Sequence, residues 1–209
     1  MKIVVFGATG GTGREIVQQA LEVGHAVTAF ARSPDKLRGI EHEQLTVHQG
    51  DVLDPQPVEQ AIAGQEAVLS ALGAGAQRSN LREAGTRNII EAMQKQGVPR
   101  LISLSSMGVG ESAGNLTLFL KYVIVPLFLK KAFEDHERQE ALVRQSGLQW
   151  TLVRPPHLID GPRTGNYQHG FPATERNLKF TISRADVADF MLKQLADERY
   201  IHQSPGVSY

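Results

Sequence analysis

Two rhythms of apolar residues alternate along this chain: short continuous runs, and longer stretches with an apolar stripe every third or fourth position. Residues 3–6 are wholly apolar, as expected of a parallel strand covered on both faces. A helical stripe follows at once in Ile16, Val17, Ala20 and Leu21, and Gly24 closes it. The alternation continues, predicting strands at 25–31, 44–49, 67–72, 100–104 and 149–154. Helices are predicted between them at 58–63, 80–96 and 134–145. A last helix opens at Ser183, with Asp186 three positions on as in a capping box, and buries Val187, Phe190, Met191 and Leu195. It is expected to be structural, with no site role for Arg184. Strands and helices in this order predict an α/β fold, a doubly wound parallel sheet of the Rossmann type, and the 209 residues suit a single domain.

The first turn is GATGGTG, residues 7–13. A glycine turn after a strand and before a helix has three duties: a tight turn, close approach of main chain to a pyrophosphate, and close helix packing. Gly7, Gly10 and Gly13 are spaced to perform them, with free amides and the positive end of the helix facing the phosphates. A Walker A loop is excluded, because Arg14 and Glu15 follow where Gly-Lys-Ser/Thr would continue.

The ends of the later strands carry the remaining candidates. Arg32, with Lys36 nearby, ends the second strand where an acidic residue would hold the ribose of NAD; a guanidinium suits a 2′-phosphate, so NADP(H) is expected over NAD(H). Asp51 and Val52 follow the third strand, placed for the adenine ring, with a turn or helix-cap role for Asp51 weighed equally. Gly73-Ala74-Gly75 leaves room at the end of the fourth strand. Ser105 and Ser106 leave the fifth, placed to hydrogen-bond a substrate carbonyl or the cofactor carboxamide, and their setting is not that of a hydrolase nucleophile. His157, after Pro155-Pro156, leaves the sixth as a candidate proton donor or acceptor. No histidine spacing defines a metal site.

Composition narrows the picture. Twenty-two basic residues balance 22 acidic ones without a like-charge block, so no nucleic-acid partner is indicated. The absence of cysteine removes thiolate chemistry and disulfides and suits a cytoplasmic location. Met1-Lys2 runs straight into the first strand, which leaves no room for a signal peptide. The apolar segment 116–129 is shorter than the roughly 20 residues of a membrane span and is broken by Lys121 and Pro126; a cap over the core or over an active site is expected of it, with a peripheral membrane contact, or a contact with a partner or second copy, as the alternative.

GATGGTG, Arg32, GDV at 50–52, Leu72-Gly73, Ser105-Ser106, DH at 135–136, SGL at 146–148, PPH at 155–157 and ISRADVADFML together resemble the atypical short-chain reductases with an NAD(P)H-binding Rossmann domain, most of all the biliverdin-IXβ and flavin reductase group. The resemblance implies an NADPH-dependent reductase acting on a flavin, a biliverdin-like tetrapyrrole or a quinone. It places Thr9, Gly10, Gly11, Thr12 and Gly13 in the pyrophosphate loop and Ser106 and His157 in the active site. Leu72, Gly73, Ser105, Pro155, His157 and Leu158 are expected along the cofactor. The Tyr-x-x-x-Lys of the alcohol-oxidising branch is missing: the corresponding helix has Ala132 and His136, which also disfavours a sugar-nucleotide or isomerase activity. The alternative is a non-enzymatic NmrA-like redox sensor that binds the dinucleotide and presents segment 116–129 to a partner protein.

Overall fold

A computed structural model describes residues 1–73, 80–116, 129–175 and 177–209. The strands β1 (Lys2–Phe6), β2 (Ala26–Ala31), β3 (Leu45–Gln49), β4 (Ala67–Ser70), β5 (Arg100–Leu104) and β6 (Gln149–Val153) form one parallel sheet in the order β3-β2-β1-β4-β5-β6. The helices are α1 (Gly11–Glu22), α2 (Pro55–Ile62), α3 (Leu81–Gln96), α4 (Lys130–Gln145) and α5 (Arg184–Lys193).

Successive β1 residues point to opposite faces, and each face meets its own core. Ile3 and Val5 join Ile16, Val17 and Ala20 of α1 and Val187 and Phe190 of α5. Val4 and Phe6 join Val58 and Ile62 of α2 and Ile89 and Met93 of α3. The run at 3–6 is therefore apolar throughout because neither face meets water, which is the expected doubly wound architecture. Strand order reverses between β1 and β4, which opens a crevice beyond their carboxyl ends.

Two helices begin earlier than the apolar stripe predicts. In α2 the Asp54 carboxylate accepts a hydrogen bond from Gln56 N at 3.2 Å and Pro55 occupies the first helical position, so the helix starts at the cap rather than at Val58. Helix α4 starts at Lys130, ahead of the polar stretch that marked it.

Short elements complete the chain. Strand β7 (His157–Ile159) pairs in parallel with β9 (Thr181–Ser183), and β8 (Gln168–His169) pairs antiparallel with β10 (Val207–Ser208). Ser183 caps α5 by accepting from Asp186 N at 3.0 Å, as expected, but the Asp186 carboxylate turns elsewhere. It accepts from Thr164 N at 2.7 Å, Thr164 Oγ1 at 2.7 Å, Gly165 N at 2.8 Å and Tyr209 OH at 2.7 Å. One buried carboxylate thus ties the loop after β7 and Tyr209 to the start of α5. Among the described residues no helix is long and apolar enough to cross a membrane. Of the apolar segment 116–129, residues 117–128 lie outside the described residues, as do Ala74 and Gly75.

Candidate cofactor cleft

The turn from β1 to α1 is shaped by what its glycines lack. Gly7 has φ +77°, and a Cβ there would press on the Ala71 carbonyl of the neighbouring strand end. Gly10 N donates to Gly7 O at 2.9 Å to close the turn, and a Cβ at Gly13 would run into that same Gly7 carbonyl. Arg14 N donates to Gly10 O at 2.8 Å, closing the first helical turn, and no side chain caps the helix start. The amides of residues 11–13 therefore have no intrahelical acceptor and gather at the positive end of α1.

Above this turn lies a cleft of about 490 Å³. Gly7, Thr9, Gly10, Gly11 and Thr12 form its floor, while Gly13 stays buried against the turn as the packing glycine. Arg32 and Lys36 line the end beyond β2, and Arg14 holds that loop by donating to Lys36 O at 2.8 Å and Arg38 O at 3.3 Å. Val52, Leu72 and Gly73 line the middle; Ser105, Ser106, Pro155 and Leu158 line the far end.

Besides Gly13, two predicted residues are not brought to the cleft wall. Asp51 takes the turn role: its Oδ1 accepts from Leu53 N at 3.0 Å, and Oδ2 stands 4.0 Å from Arg32 Nη1. His157 is exposed on β7, where alternation turns Leu158 to the cleft and His157 away from it.

Three polar residues that were not site candidates also line the cleft: Arg82 from the first turn of α3, His136 from α4 and Arg184 from α5. Arg184, expected to be structural, thus also reaches the cleft wall. The signal for His136 was present, since it stands where the lysine of Tyr-x-x-x-Lys would; nothing local marked Arg82 or Arg184. Among the described lining residues, Arg32, Lys36, Arg82 and Arg184 are cationic and none carries a carboxylate, although the chain as a whole is neutral. That concentration of one sign favours an anionic ligand.

The far end is held by two hydrogen-bonded clusters. Ser105 Oγ donates to Glu140 Oε1 at 2.7 Å, and Glu140 also accepts from Arg154 Nε at 2.8 Å and Nη2 at 2.5 Å. Arg154 is 1% exposed; burial lowers its pKa, but hydrogen bonds and charge from Glu140 and Glu111 outweigh this and hold it above the usual guanidinium value. In the second cluster, Asp135 accepts from Arg82 N at 3.3 Å, Arg82 Nη1 at 3.2 Å and Glu83 N at 3.1 Å, so a residue of α4 caps α3. His136 beside it is 8% exposed, with Nδ1 3.2 Å from Gln139 Oε1. Gln139 Nε2 donates to Ser103 Oγ at 3.0 Å and Leu104 O at 3.4 Å. A carbonyl can only accept, so the Gln139 oxygen faces the imidazole and the proton belongs on His136 Nδ1. Burial, then the Arg82 cation, push His136 down to about 4 against the opposing pull of Gln139, Asp135 and Glu140; the ring is neutral at pH 7.

The strand order, the glycine turn and the cation-lined cleft define a Rossmann fold with a cleft fitted to a dinucleotide. The chain belongs to the NAD(P)H-binding family, whose model matches residues 7–198. An uncharacterised chloroplastic protein of Arabidopsis thaliana is 30% identical over 206 residues, spanning 94% of this chain and 72% of its own. A short-chain dehydrogenase/reductase from Veillonella parvula, solved in complex with NADP, superposes with TM-score 0.86 at 21% identity, over 100% of this chain and 94% of its own. ChuY, an anaerobilin reductase from Escherichia coli, gives TM-score 0.81 at 24% identity over 100% and 97%. The uncapped amides of residues 11–13 and the cations above them fit the nicotinamide dinucleotide that the family binds.

Proposed function

We propose that this protein is an NADPH-dependent oxidoreductase that reduces a planar, conjugated acceptor: a flavin, a biliverdin-like tetrapyrrole or a quinone. When bound, the reduced nicotinamide supplies the hydride. The side chains at the far end of the cleft support the choice of acceptor. Ser105 is committed as a donor to Glu140, whereas Ser106 lines the cleft with its hydroxyl on the adjacent Met107 carbonyl at 3.2 Å, free to turn toward a ligand. His136 Nε2 makes no hydrogen bond among the described residues, and with the proton on Nδ1 it accepts rather than donates.

The observation that carries this reading is that imidazole, held neutral by burial where alcohol-oxidising relatives need a proton relay. No tyrosine lines the cleft among the described residues. A wall poor in acids suits an acceptor that spreads the incoming charge over a conjugated ring and takes its proton from solvent. Such a site works by orienting the two rings and excluding water. The name of ChuY, an anaerobilin reductase, supports the tetrapyrrole among the three acceptors. Arg32 and Lys36 support NADP(H) over NAD(H). The lack of cysteine supports a cytoplasmic setting. His157, exposed on β7, stands outside this proposed chemistry; the sensor alternative depends on segment 116–129, of which Leu116 and Leu129 alone are described.

The test is NADPH oxidation, followed by the loss of the reduced nicotinamide absorbance, with flavin mononucleotide, biliverdin and a simple quinone in turn. Turnover of one or more is expected, and Arg32→Glu should weaken NADPH binding by about tenfold or more while leaving NADH within about twofold. Cofactor binding without turnover of any of the three acceptors removes the reductase and leaves the sensor.

A further inference from the structure

We propose that Arg184 is a mobile strap for the cofactor pyrophosphate, parked on Asp160 until a dinucleotide arrives. The inference rests on the cleft as a dinucleotide site and is independent of which acceptor is reduced. Its starting point is Gly11, the first residue of α1. A Cβ there would stand 2.5 Å from Arg184 Cδ and 2.7 Å from Nε, so the stem of Arg184 packs against Gly11, at the start of the helix whose free amides face the phosphates.

The charge on Arg184 is poorly served where it stands. It is the first residue of α5, at the positive end of that helix, and it reaches over the positive end of α1. Its anionic partner is Asp160, with Nη1 to Oδ1 at 2.6 Å; the Asp160 side chain is 95% exposed and that of Arg184 30%. An ion pair so open to water is worth little. The positive end of α1 and a guanidinium thus meet at one point of a cleft whose described lining has no carboxylate. A pyrophosphate brought there meets charge-assisted donors from both the main chain and the guanidinium, while Asp160 loses only a solvated contact. Gly11 keeps that path clear, since any side chain at this position would displace the strap.

Titration calorimetry with three probes separates this role from its neighbours: NADP⁺, NAD⁺ and adenosine 2′-monophosphate, which has no 5′-phosphate. Arg184→Ala should weaken NADP⁺ and NAD⁺ alike by about tenfold and leave adenosine 2′-monophosphate unchanged. Arg184→Lys should recover part of the loss, because the charge returns without the planar fork. Asp160→Asn, a change on an exposed side chain, should tighten both dinucleotides by about threefold by releasing the strap. Unchanged dinucleotide affinity in Arg184→Ala overturns the proposal, as does an equal loss for adenosine 2′-monophosphate. Should Arg184→Ala fail to fold, unchanged or weaker dinucleotide binding by Asp160→Asn overturns it. Failure of the wild-type protein to bind any dinucleotide would sink the cleft assignment itself, a different result.

Discussion

The two banks of the cleft are built by different means. The bank formed by β1 and the start of α1 is shaped by main chain: Gly7 and Gly13 press carbonyl against helix, and the ligand-facing groups are amides. The opposite bank, at the ends of β5 and β6, is shaped by side chains from distant segments. Ser105 meets Glu140 35 residues on, and Arg82 meets Asp135 53 residues on. A site made of backbone is a local property of sequence; a site made of side-chain contacts is a property of the folded chain. The two banks should therefore fail in different ways.

The largest effect is expected on the side-chain bank. Glu140→Leu removes the acceptor of Ser105 and of two Arg154 donors, leaving a guanidinium at 1% exposure with Glu111 as its remaining recorded carboxylate. Breaking a buried pair from one side costs about 3–5 kcal/mol. Urea unfolding at pH 7 measures it, and a loss below about 1 kcal/mol would mean that this bank behaves like an ordinary surface network.

The main-chain bank should lose less stability but more function. Gly13→Ala forces a methyl against Gly7 O, Gly7 C and Ala8 Cα, atoms that move only with the turn. Overpacking of this kind costs about 1–3 kcal/mol. Because the same turn presents the amides, dinucleotide affinity should fall more than about tenfold. Gly24→Ala is the matched control: its φ of +82° carries strain, but nothing lies within 4 Å of the added methyl. It should lose stability without losing cofactor, and parallel affinity losses in both variants would mean that the turn has no special part in binding.

The same contrast explains what could be seen in the sequence. The central strands β1 and β4 stand out because strands covered on both faces need continuous apolar runs, and the glycine turn because a side chain at Gly7 or Gly13 would run into main chain. The pairs β7–β9 and β8–β10 could not be seen, since strands of two or three residues carry no period. His157 was expected in the cleft from its place after two prolines, but the strand that follows sets the direction of its side chain, and Leu158 takes the inward position. Asp51 bends back on Leu53 N because a turn aspartate has a backbone donor two residues away. Arg184 belongs to the last helix and reaches the first only because α5 packs beside α1 in the same core layer.

A change of pH separates the banks most finely, because one of them titrates. His136 has its pKa lowered to about 4 by burial and Arg82, against an ordinary value of 6.5. In the unfolded chain the imidazole takes up a proton below pH 6.5, while in the folded protein it stays neutral until about pH 4. The stability tied to this neutral ring is therefore complete above pH 6.5 and is lost as pH falls from 6.5 toward 4, at about 1.4 kcal/mol per unit. By pH 5 the loss is about 2 kcal/mol. Urea unfolding of the wild type and His136→Gln at about pH 7.5 and about pH 5 isolates it, since every other group contributes equally to both proteins. The variant should lose about 2 kcal/mol less than the wild type between the two conditions, and an equal loss would place His136 in water. Gly13→Ala brings no titrating group into the cleft, so its cost should be the same at both pH values, and a pH-dependent cost would mean that the two banks are energetically coupled across the cleft.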